Sequence, residues 1–131
     1  MTPAIFGISG LELTADERAF FKDADPAGYI LFGRNCDSKD QLRKLTDDLR
    51  EIHGRERLIV SIDQEGGRVA RMKPPVWQRY PAGEAFAALW NVAPASAIEA
   101  ARANAEAMGR ELAEMGISVD YHAPFDVRRP E

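Results

Sequence analysis

The chain has 131 residues, 45% of them hydrophobic and 29% charged, which suits one globular domain with a single core. Acidic residues outnumber basic ones by 21 to 17 with the signs interspersed, so the composition argues against a nucleic-acid-binding protein. The single cysteine, Cys36, excludes an internal disulfide and hence a disulfide scaffold. The first ten residues, interrupted by Gly7 and Gly10, resemble neither a signal peptide nor a membrane span, so we expect a cytoplasmic protein.

Four short runs rich in β-branched and aromatic residues predict strands. They are Ala4–Ile8, Tyr29–Phe32, Leu58–Ile62 and Ile117–Phe125. The middle two are apolar in the way that is typical of parallel strands covered on both faces.

Segments with helical spacing separate these runs, and three of them are predicted to begin at a capping box. The boxes pair Thr14 with Glu17, Ser38 with Gln41 and Ser96 with Glu99. Apolar residues then recur at steps of three and four, and Gly54 and Gly116 follow the second and third helices. A further helical turn is predicted around Glu84 to Leu89.

The resulting order is β-α-β-α-β-loop-α-β with right-handed crossovers, and it fits two α/β architectures. One is a small doubly wound sheet, and the other is the N-terminal half of a (β/α)8 TIM-type barrel, of which a complete example needs about 250 residues. We expect residues 1–131 to form one partial domain. The long connection from Val69 to Pro94 would lie on the catalytic face of such a barrel.

The segment Ser61–Arg71 carries the strongest chemical pattern. Asp63 is expected to emerge at the C-terminal end of a strand, where a ligand can reach it, and two glycines then permit a tight turn. The guanidinium of Arg71 offers a planar set of donors for carboxylates or hydroxyl groups. The residues alone leave open a second interpretation, in which Asp63, Glu65 and Arg68 only pair with one another to brace the strand end.

Residues 63–71 resemble the hallmark D-x-E-G-G-R-V-x-R of family 3 glycoside hydrolases. Three further segments follow in the family's order, namely residues 28–35, residues 109–117 and residues 123–127. They are similar to the family's second strand, to the helix before the fourth strand and to the end of that strand. The chain therefore resembles the N-terminal half of the family's barrel, most closely that of bacterial β-N-acetylhexosaminidases.

The resemblance implies hydrolysis, with retention, of terminal non-reducing N-acetyl-β-D-glucosaminides during cell-wall muropeptide recycling, without a metal or cofactor. It implies that Asp63 and Arg71 bind the terminal sugar, that Glu65 and Arg68 shape the turn, and that Asp126 pins the next loop. The family's acid-base histidine and aspartate nucleophile lie beyond the matching segments. No residue here is therefore assigned to catalysis, and the chain alone is expected to be inactive.

Several tempting side chains receive structural roles. His122 is expected at a strand end, and His53 at a helix end where a cation suits the helix dipole. Trp77 and Tyr80 are expected to pack the proline-rich loop against the domain rather than to stack on a sugar. Cys36 has no histidine near it in sequence, so a thiol nucleophile is not expected.

Two alternative functions remain open. The chain could be a non-catalytic half-barrel, a binding or structural module that associates with itself or with the missing half through exposed sheet edges. It could also be a smaller hydrolase that uses Glu65 and Asp126 as a catalytic pair, which the family pattern disfavours because it gives those residues other roles.

Overall fold

The computed structural model describes residues 1–122, which form an α/β fold around one sheet of four parallel strands. The strands are β1 (Thr2–Gly7), β2 (Pro26–Leu31), β3 (Ile59–Ile62) and β4 (Val119–Asp120). Their order in the sheet is β1-β2-β3-β4. In a (β/α) barrel, strands that follow one another along the chain are also neighbours in the sheet. In a doubly wound sheet, the order of the strands reverses at a switch point. The barrel-type prediction is confirmed and the doubly wound one is wrong.

Four helices and a short 3-10 turn connect the strands. They are α1 (Ala15–Ala24), the 3-10 turn (Gly33–Asn35), α2 (Lys39–His53), α3 (Gly83–Trp90) and α4 (Pro94–Glu114). None of the helices within residues 1–122 combines the length and the hydropathy that a membrane span requires.

The first two predicted helix caps are confirmed. Thr14 accepts a hydrogen bond from the Glu17 amide, and Glu17 accepts one from the Thr14 amide in return. Ser38 accepts from the Gln41 amide, but the Gln41 side chain accepts from Asp37 rather than from Ser38. The return bond of the second capping box therefore comes from the amide one residue before Ser38.

The predicted start of the last helix at Ser96 is wrong, because α4 already begins at Pro94 with Ala93 before it. Proline is well suited to the first helical position, since its φ is fixed near the helical value and its missing N–H would have no partner there. Gly116 follows the helix with a φ of +76°, in the left-handed conformation that the sequence predicts.

The predicted strand bounds shift by a few residues. β2 begins at Pro26 rather than at Tyr29, because proline can start a strand whose first amide needs no partner. β4 covers only Val119–Asp120 of the predicted run, and residues 123–125 of that run lie outside the described residues.

One face of the sheet forms the core. Phe6, Tyr29 and Val60 are neighbours across β1, β2 and β3, and this face packs with the apolar stripe of α2. The fully buried members of that stripe are Leu42, Leu45 and Leu49. On the opposite face, Ile5 and Ile59 remain 38% and 40% exposed.

Candidate functional site

Asp63 and Arg71 meet at the C-terminal end of β3. Asp63 directly follows Ile62, and its Oδ2 accepts a hydrogen bond of 3.0 Å from Arg71 Nη2. The two side chains keep exposed fractions of 26% and 30%, so neither is sealed from a ligand. The structure thus brings together the two residues for which the family resemblance implies sugar binding.

The alternative interpretation, a brace formed by Asp63 with Glu65 and Arg68, is not what the geometry shows. The ion-pair partner of Asp63 is Arg71, and within residues 1–122 neither Glu65 nor Arg68 forms a salt bridge. The carboxylate of Asp63 is therefore held by a residue that itself can donate to a ligand.

Gln64 fixes the backbone on which Arg71 sits. The side chain is 1% exposed, and its Oε1 accepts from the amides of Arg71 at 2.8 Å and Met72 at 3.1 Å. Its Nε2 donates to the Met72 carbonyl at 2.9 Å. A buried amide with these bonds locks the distance between the strand end and the returning loop. Sequence reasoning missed Gln64, although a polar amide directly after a buried strand and beside Asp63 was a usable signal.

Backbone contacts hold the turn between Asp63 and Arg71. The amides of Glu65 and Gly66 both donate to the Val69 carbonyl, and Gly67 donates to the Tyr80 carbonyl. Gly66 has a φ of +88°, and a Cβ on it would lie 2.2 Å from the Pro81 carbonyl oxygen. The turn therefore needs glycine for both its conformation and its close approach to the later loop. The side chain of Glu65 makes no hydrogen bond within residues 1–122 that would add to this.

Asp120, at the end of β4, joins the same edge of the sheet. Its Oδ1 accepts from the Gln64 amide at 2.9 Å. Burial raises the pKa of Asp120, as do the charges of Asp63 and Glu65, while the Gln64 amide and His122 oppose the shift. Sequence reasoning missed Asp120, because it lies inside the predicted run Ile117–Phe125 and becomes a strand-end residue only with the shorter β4 of the structure.

His122 lies two residues beyond β4, as the sequence predicts for a strand-end residue. Its Nδ1 is buried and has no hydrogen-bond partner within residues 1–122. Asp126 lies outside the described residues, so the structure does not test the alternative in which Glu65 and Asp126 form a catalytic pair.

Two aromatic residues of the long loop, Trp77 and Tyr80, serve packing. Trp77 and Tyr80 are 5% and 8% exposed and belong to the hydrophobic core, so the packing prediction is confirmed over the stacking one. Burial raises the pKa of Tyr80 to about 12, and the charge of Glu111 acts in the same direction.

His53 lies at the last position of α2, the helix end that the sequence predicts for it, but its side chain is buried and paired. The side chain is 3% exposed, and Nε2 lies 2.7 Å from the Tyr29 hydroxyl while Nδ1 lies 3.3 Å from Asp25. Burial lowers the pKa of His53, with the charge of Arg55 acting in the same direction and Asp25 opposing it. A neutral ring that donates from Nδ1 and accepts at Nε2 satisfies both contacts.

Three comparisons with known proteins bear on this site. Residues 6–130 match the family model described as "Glycosyl hydrolase family 3 N terminal domain". A beta-hexosaminidase of Xanthomonas oryzae pv. oryzae is 34% identical over 125 residues, which cover 95% of this chain and 37% of that protein.

Solved structures give the same picture. Native NagZ from Neisseria gonorrhoeae is 30% identical with a TM-score of 0.86, over 94% of this chain and 35% of that one. NagZ from the same organism in complex with N-trifluoroacetyl-D-glucosamine is also 30% identical, with a TM-score of 0.82 over 88% of this chain and 34% of that one. The chain spans little more than a third of the length of the relatives it matches.

Proposed function

Since this chain belongs to glycosyl hydrolase family 3, we propose that it forms the sugar-binding part of a β-N-acetylhexosaminidase. The whole enzyme would hydrolyse terminal non-reducing N-acetyl-β-D-glucosaminides with retention, in the recycling of cell-wall muropeptides. The observation that carries this proposal is the partly exposed Asp63–Arg71 pair at the C-terminal end of β3. In barrel enzymes this is the end of the strands that carries the active site.

The chemistry of the pair suits a sugar ring. An ionised carboxylate accepts hydrogen bonds from two neighbouring hydroxyl groups, and a guanidinium donates through several N–H groups held in one plane. The bond from Arg71 to Asp63 uses one oxygen of the carboxylate and leaves acceptor capacity on the other. Because Gln64 and the Gly66 turn fix both ends of this loop, the donors and acceptors are oriented before the ligand arrives.

The kind of substrate is supported by the relatives. The similar proteins include a beta-hexosaminidase and a NagZ structure that holds a glucosamine derivative. A cytoplasmic location fits the lone Cys36, because unpaired thiols persist in reducing compartments.

Sugar binding and catalysis are assigned to different parts of the enzyme because of what retention requires. Retaining glycosidases use a nucleophile and an acid-base group on opposite sides of the scissile bond. We propose that both groups belong to chain outside the matched segments and that residues 1–131 are one partial domain. Asp63 and Arg71 would then act by positioning the sugar for those groups.

A second candidate function is a non-catalytic half-barrel that associates through its edges. The observation in its favour is the sheet order, which puts β1 and β4 at the ends of the described sheet, together with the exposed Ile5 and Ile59 on one face. Sedimentation velocity separates the two. A stable oligomer at micromolar concentration favours the module, and a monomer favours the enzyme part.

Hydrolysis of 4-nitrophenyl N-acetyl-β-D-glucosaminide tests the main proposal. The proteins to compare are the 131-residue chain and a chimaera of the Xanthomonas oryzae beta-hexosaminidase in which this chain replaces the 125 matched residues. We expect no nitrophenol release by the chain alone and release by the chimaera. Asp63→Ala in the chimaera should lower kcat/KM by about a hundredfold, since hydrogen bonds to the sugar supply several kcal/mol at the transition state.

Asp23→Ala is the matched control, because Asp23 is an exposed acid on α1 and should leave the rate unchanged. Turnover by the 131-residue chain at its intact mass would contradict the proposal that the catalytic groups lie outside this chain. Unchanged activity of the Asp63→Ala chimaera would contradict the role of the pair.

A further inference from the structure

Asp120 of β4 is connected to both members of the Asp63–Arg71 pair through Gln64. Asp120 Oδ1 accepts from the Gln64 amide at 2.9 Å, and Gln64 Oε1 accepts from the Arg71 amide at 2.8 Å. Arg71 Nη2 then donates to Asp63 Oδ2 at 3.0 Å. These bonds form a continuous network from β4 to the candidate sugar site, which we call the Asp120–Gln64–Arg71 network.

The first bond of this network fixes the backbone of Asp63. The amide that donates to Asp120 belongs to the peptide unit that joins Asp63 to Gln64, and a peptide unit is planar and rigid. Asp63 also follows directly from the end of β3, so its backbone is held by the strand on one side and by Asp120 on the other. The position of Asp120 therefore limits where the Asp63 carboxylate can lie.

The second bond of the network fixes Arg71. Gln64 is 1% exposed, and its side chain binds the Arg71 and Met72 amides and the Met72 carbonyl. Because the backbone of Gln64 is bonded to Asp120 and its side chain to the returning loop, a displacement of Asp120 is passed on to Arg71. One residue of β4 thus acts on both sides of the pair.

The Gln64 amide needs a side-chain acceptor because it lies beyond the backbone pairing of β3 and β4. β3 ends at Ile62, whose carbonyl accepts from the Tyr121 amide at 2.9 Å. Two residues further on, the Gln64 amide donates to the Asp120 carboxylate. A buried N–H without an acceptor is costly, and Gln64 is too buried for water to replace the carboxylate freely. Asp120 therefore extends the contact between the two strands to the residue that holds the site.

The network uses Asp120 as an oxygen acceptor rather than as a charge. Within residues 1–122 its side chain makes one hydrogen bond, through a single oxygen. Burial and the charges of Asp63 and Glu65 raise the pKa of Asp120 and so disfavour its ionised form. The amide oxygen of an asparagine accepts a hydrogen bond in the same place.

We propose that Asp120 is a positioning residue for sugar binding, which acts through Gln64 to hold Asp63 and Arg71 at the separation at which both contact one sugar. This proposal rests on the proposed function. Asp120 acts on the pair without contacting the ligand. Removal of its oxygen acceptor should therefore weaken sugar binding, and replacement of the carboxylate by an amide should not.

Ser118, directly before β4, provides a matched control. Ser118 Oγ accepts from the Val60 amide at 3.0 Å, so it also joins the two strands by a side-chain bond to a backbone amide. Val60 is the second residue of β3 and lies away from the strand end that carries Asp63. Ser118→Ala therefore removes a comparable bond that has no part in the Asp120–Gln64–Arg71 network.

The proposal is tested by ¹⁵N NMR of the 131-residue chain and its variants, each titrated with N-acetylglucosamine. We expect Asp120→Ala to shift the amide signals of Arg71 and Met72 and to weaken binding about fivefold, as for the loss of one hydrogen bond. Asp120→Asn should bind like the wild type. Ser118→Ala should shift the Val60 amide but change neither the Arg71 signal nor the affinity.

The amide spectrum of each variant reports whether it is folded. If Asp120→Ala does not fold, Asp120→Glu takes its place, since it keeps an acceptor but displaces it by one methylene group. We expect that variant to shift the Arg71 amide and to weaken binding as well.

The proposal is overturned if the Asp120→Ala or Asp120→Glu variant leaves the Arg71 amide and the affinity unchanged, or if Ser118→Ala weakens binding equally. It is also overturned if Asp120→Asn binds as weakly as Asp120→Ala, because the charge of Asp120 would then be what matters. If the wild type does not bind N-acetylglucosamine while Asp120→Ala still shifts the Arg71 amide, the proposed function fails and the positioning of Arg71 by Asp120 is supported.

Discussion

Arg71 Nη2 lies 3.0 Å from Asp63 Oδ2, and the two residues are eight positions apart on a loop that is also held by backbone bonds and by the Gln64 side chain. This relationship orients two side chains that sequence reasoning assigns to one ligand. It depends on neighbouring residues that no ligand would contact, among them Gln64 and Gly66.

The Asp63–Arg71 pair should be coupled energetically as well as in space. In a double-mutant cycle with Asp63→Ala and Arg71→Ala, we expect a coupling of about 1 kcal/mol in the free energy of unfolding, since both side chains are partly buried. Urea denaturation provides the measurement. The exposed pair Glu106 and Arg110 on α4 is the control and should couple by about 0.4 kcal/mol. A coupling for Asp63–Arg71 no larger than this control value would contradict the prediction.

Gln64→Leu should be strongly destabilising. The change keeps the size of the side chain but leaves the Arg71 and Met72 amides and the Met72 carbonyl without their partner. We expect a loss of about 3 kcal/mol in the free energy of unfolding, measured with urea, because each unsatisfied buried group costs about 1 kcal/mol or more. Gln78→Leu on the exposed part of the loop is the matched control and should change stability by less than about 0.5 kcal/mol. Equal effects of the two changes would show that Gln64 does not hold the loop.

The order of the elements and the strand-end position of Asp63 could be predicted from the sequence because local chemistry determines them. The capping residues Thr14 and Ser38, the stripe of α2 and the strand-end position of Asp63 all follow from spacing along the chain. The start of α4 was mispredicted because two valid start signals compete within three residues, and Pro94 precedes Ser96.

The roles of Gln64, Asp120 and His53 could not be predicted in the same way. Asp120 and His53 depend on partners far along the chain, namely the Gln64 amide and the Tyr29 hydroxyl. Gln64 depends on how the loop returns to bring the Arg71 and Met72 amides beside its side chain. The protonation of His53 in particular is set by burial, and burial is a property of the packed fold rather than of the helix end.

Gly66→Ala should destabilise the turn beside the site. The new Cβ would lie 2.2 Å from the Pro81 carbonyl oxygen, at a residue whose φ of +88° L side chains rarely adopt. We expect a loss of about 2 kcal/mol or more in the free energy of unfolding. Gly83→Ala at the start of α3 is the matched control, because a Cβ on Gly83 would meet no atom of residues 1–122 within 4 Å. Similar urea midpoints for the two variants would contradict the close approach.

Stability should fall between pH 7 and pH 5 because of His53. Burial lowers the pKa of the folded side chain, so as pH falls through about 6.5 the unfolded chain gains a proton that the folded chain does not. We expect a loss in the free energy of unfolding over this range, which ends once the pH is below the folded pKa.

His53→Gln is the control for this pH dependence, since an amide still accepts from Tyr29 and donates to Asp25 but does not titrate. A hydrogen bond from the N-terminal ammonium leads the effects that lower the pKa of Asp25, with the Arg55 charge also contributing, so stability from Asp25 is lost only as pH falls below about 4. Asp120 titrates in both proteins. The same slope between pH 7 and pH 5 for wild type and His53→Gln would exclude His53 as the cause.

A ¹⁵N NMR titration of the 131-residue chain with N-acetylglucosamine, repeated on Asp63→Asn, tests whether Asp63 and Arg71 bind a sugar. We expect saturable shifts at the amides of Asp63, Gln64 and Arg71, with binding weakened about tenfold by the substitution. Shifts that are absent from these residues, or that are equally strong in Asp63→Asn, would contradict the claim that Asp63 and Arg71 form a sugar-binding site.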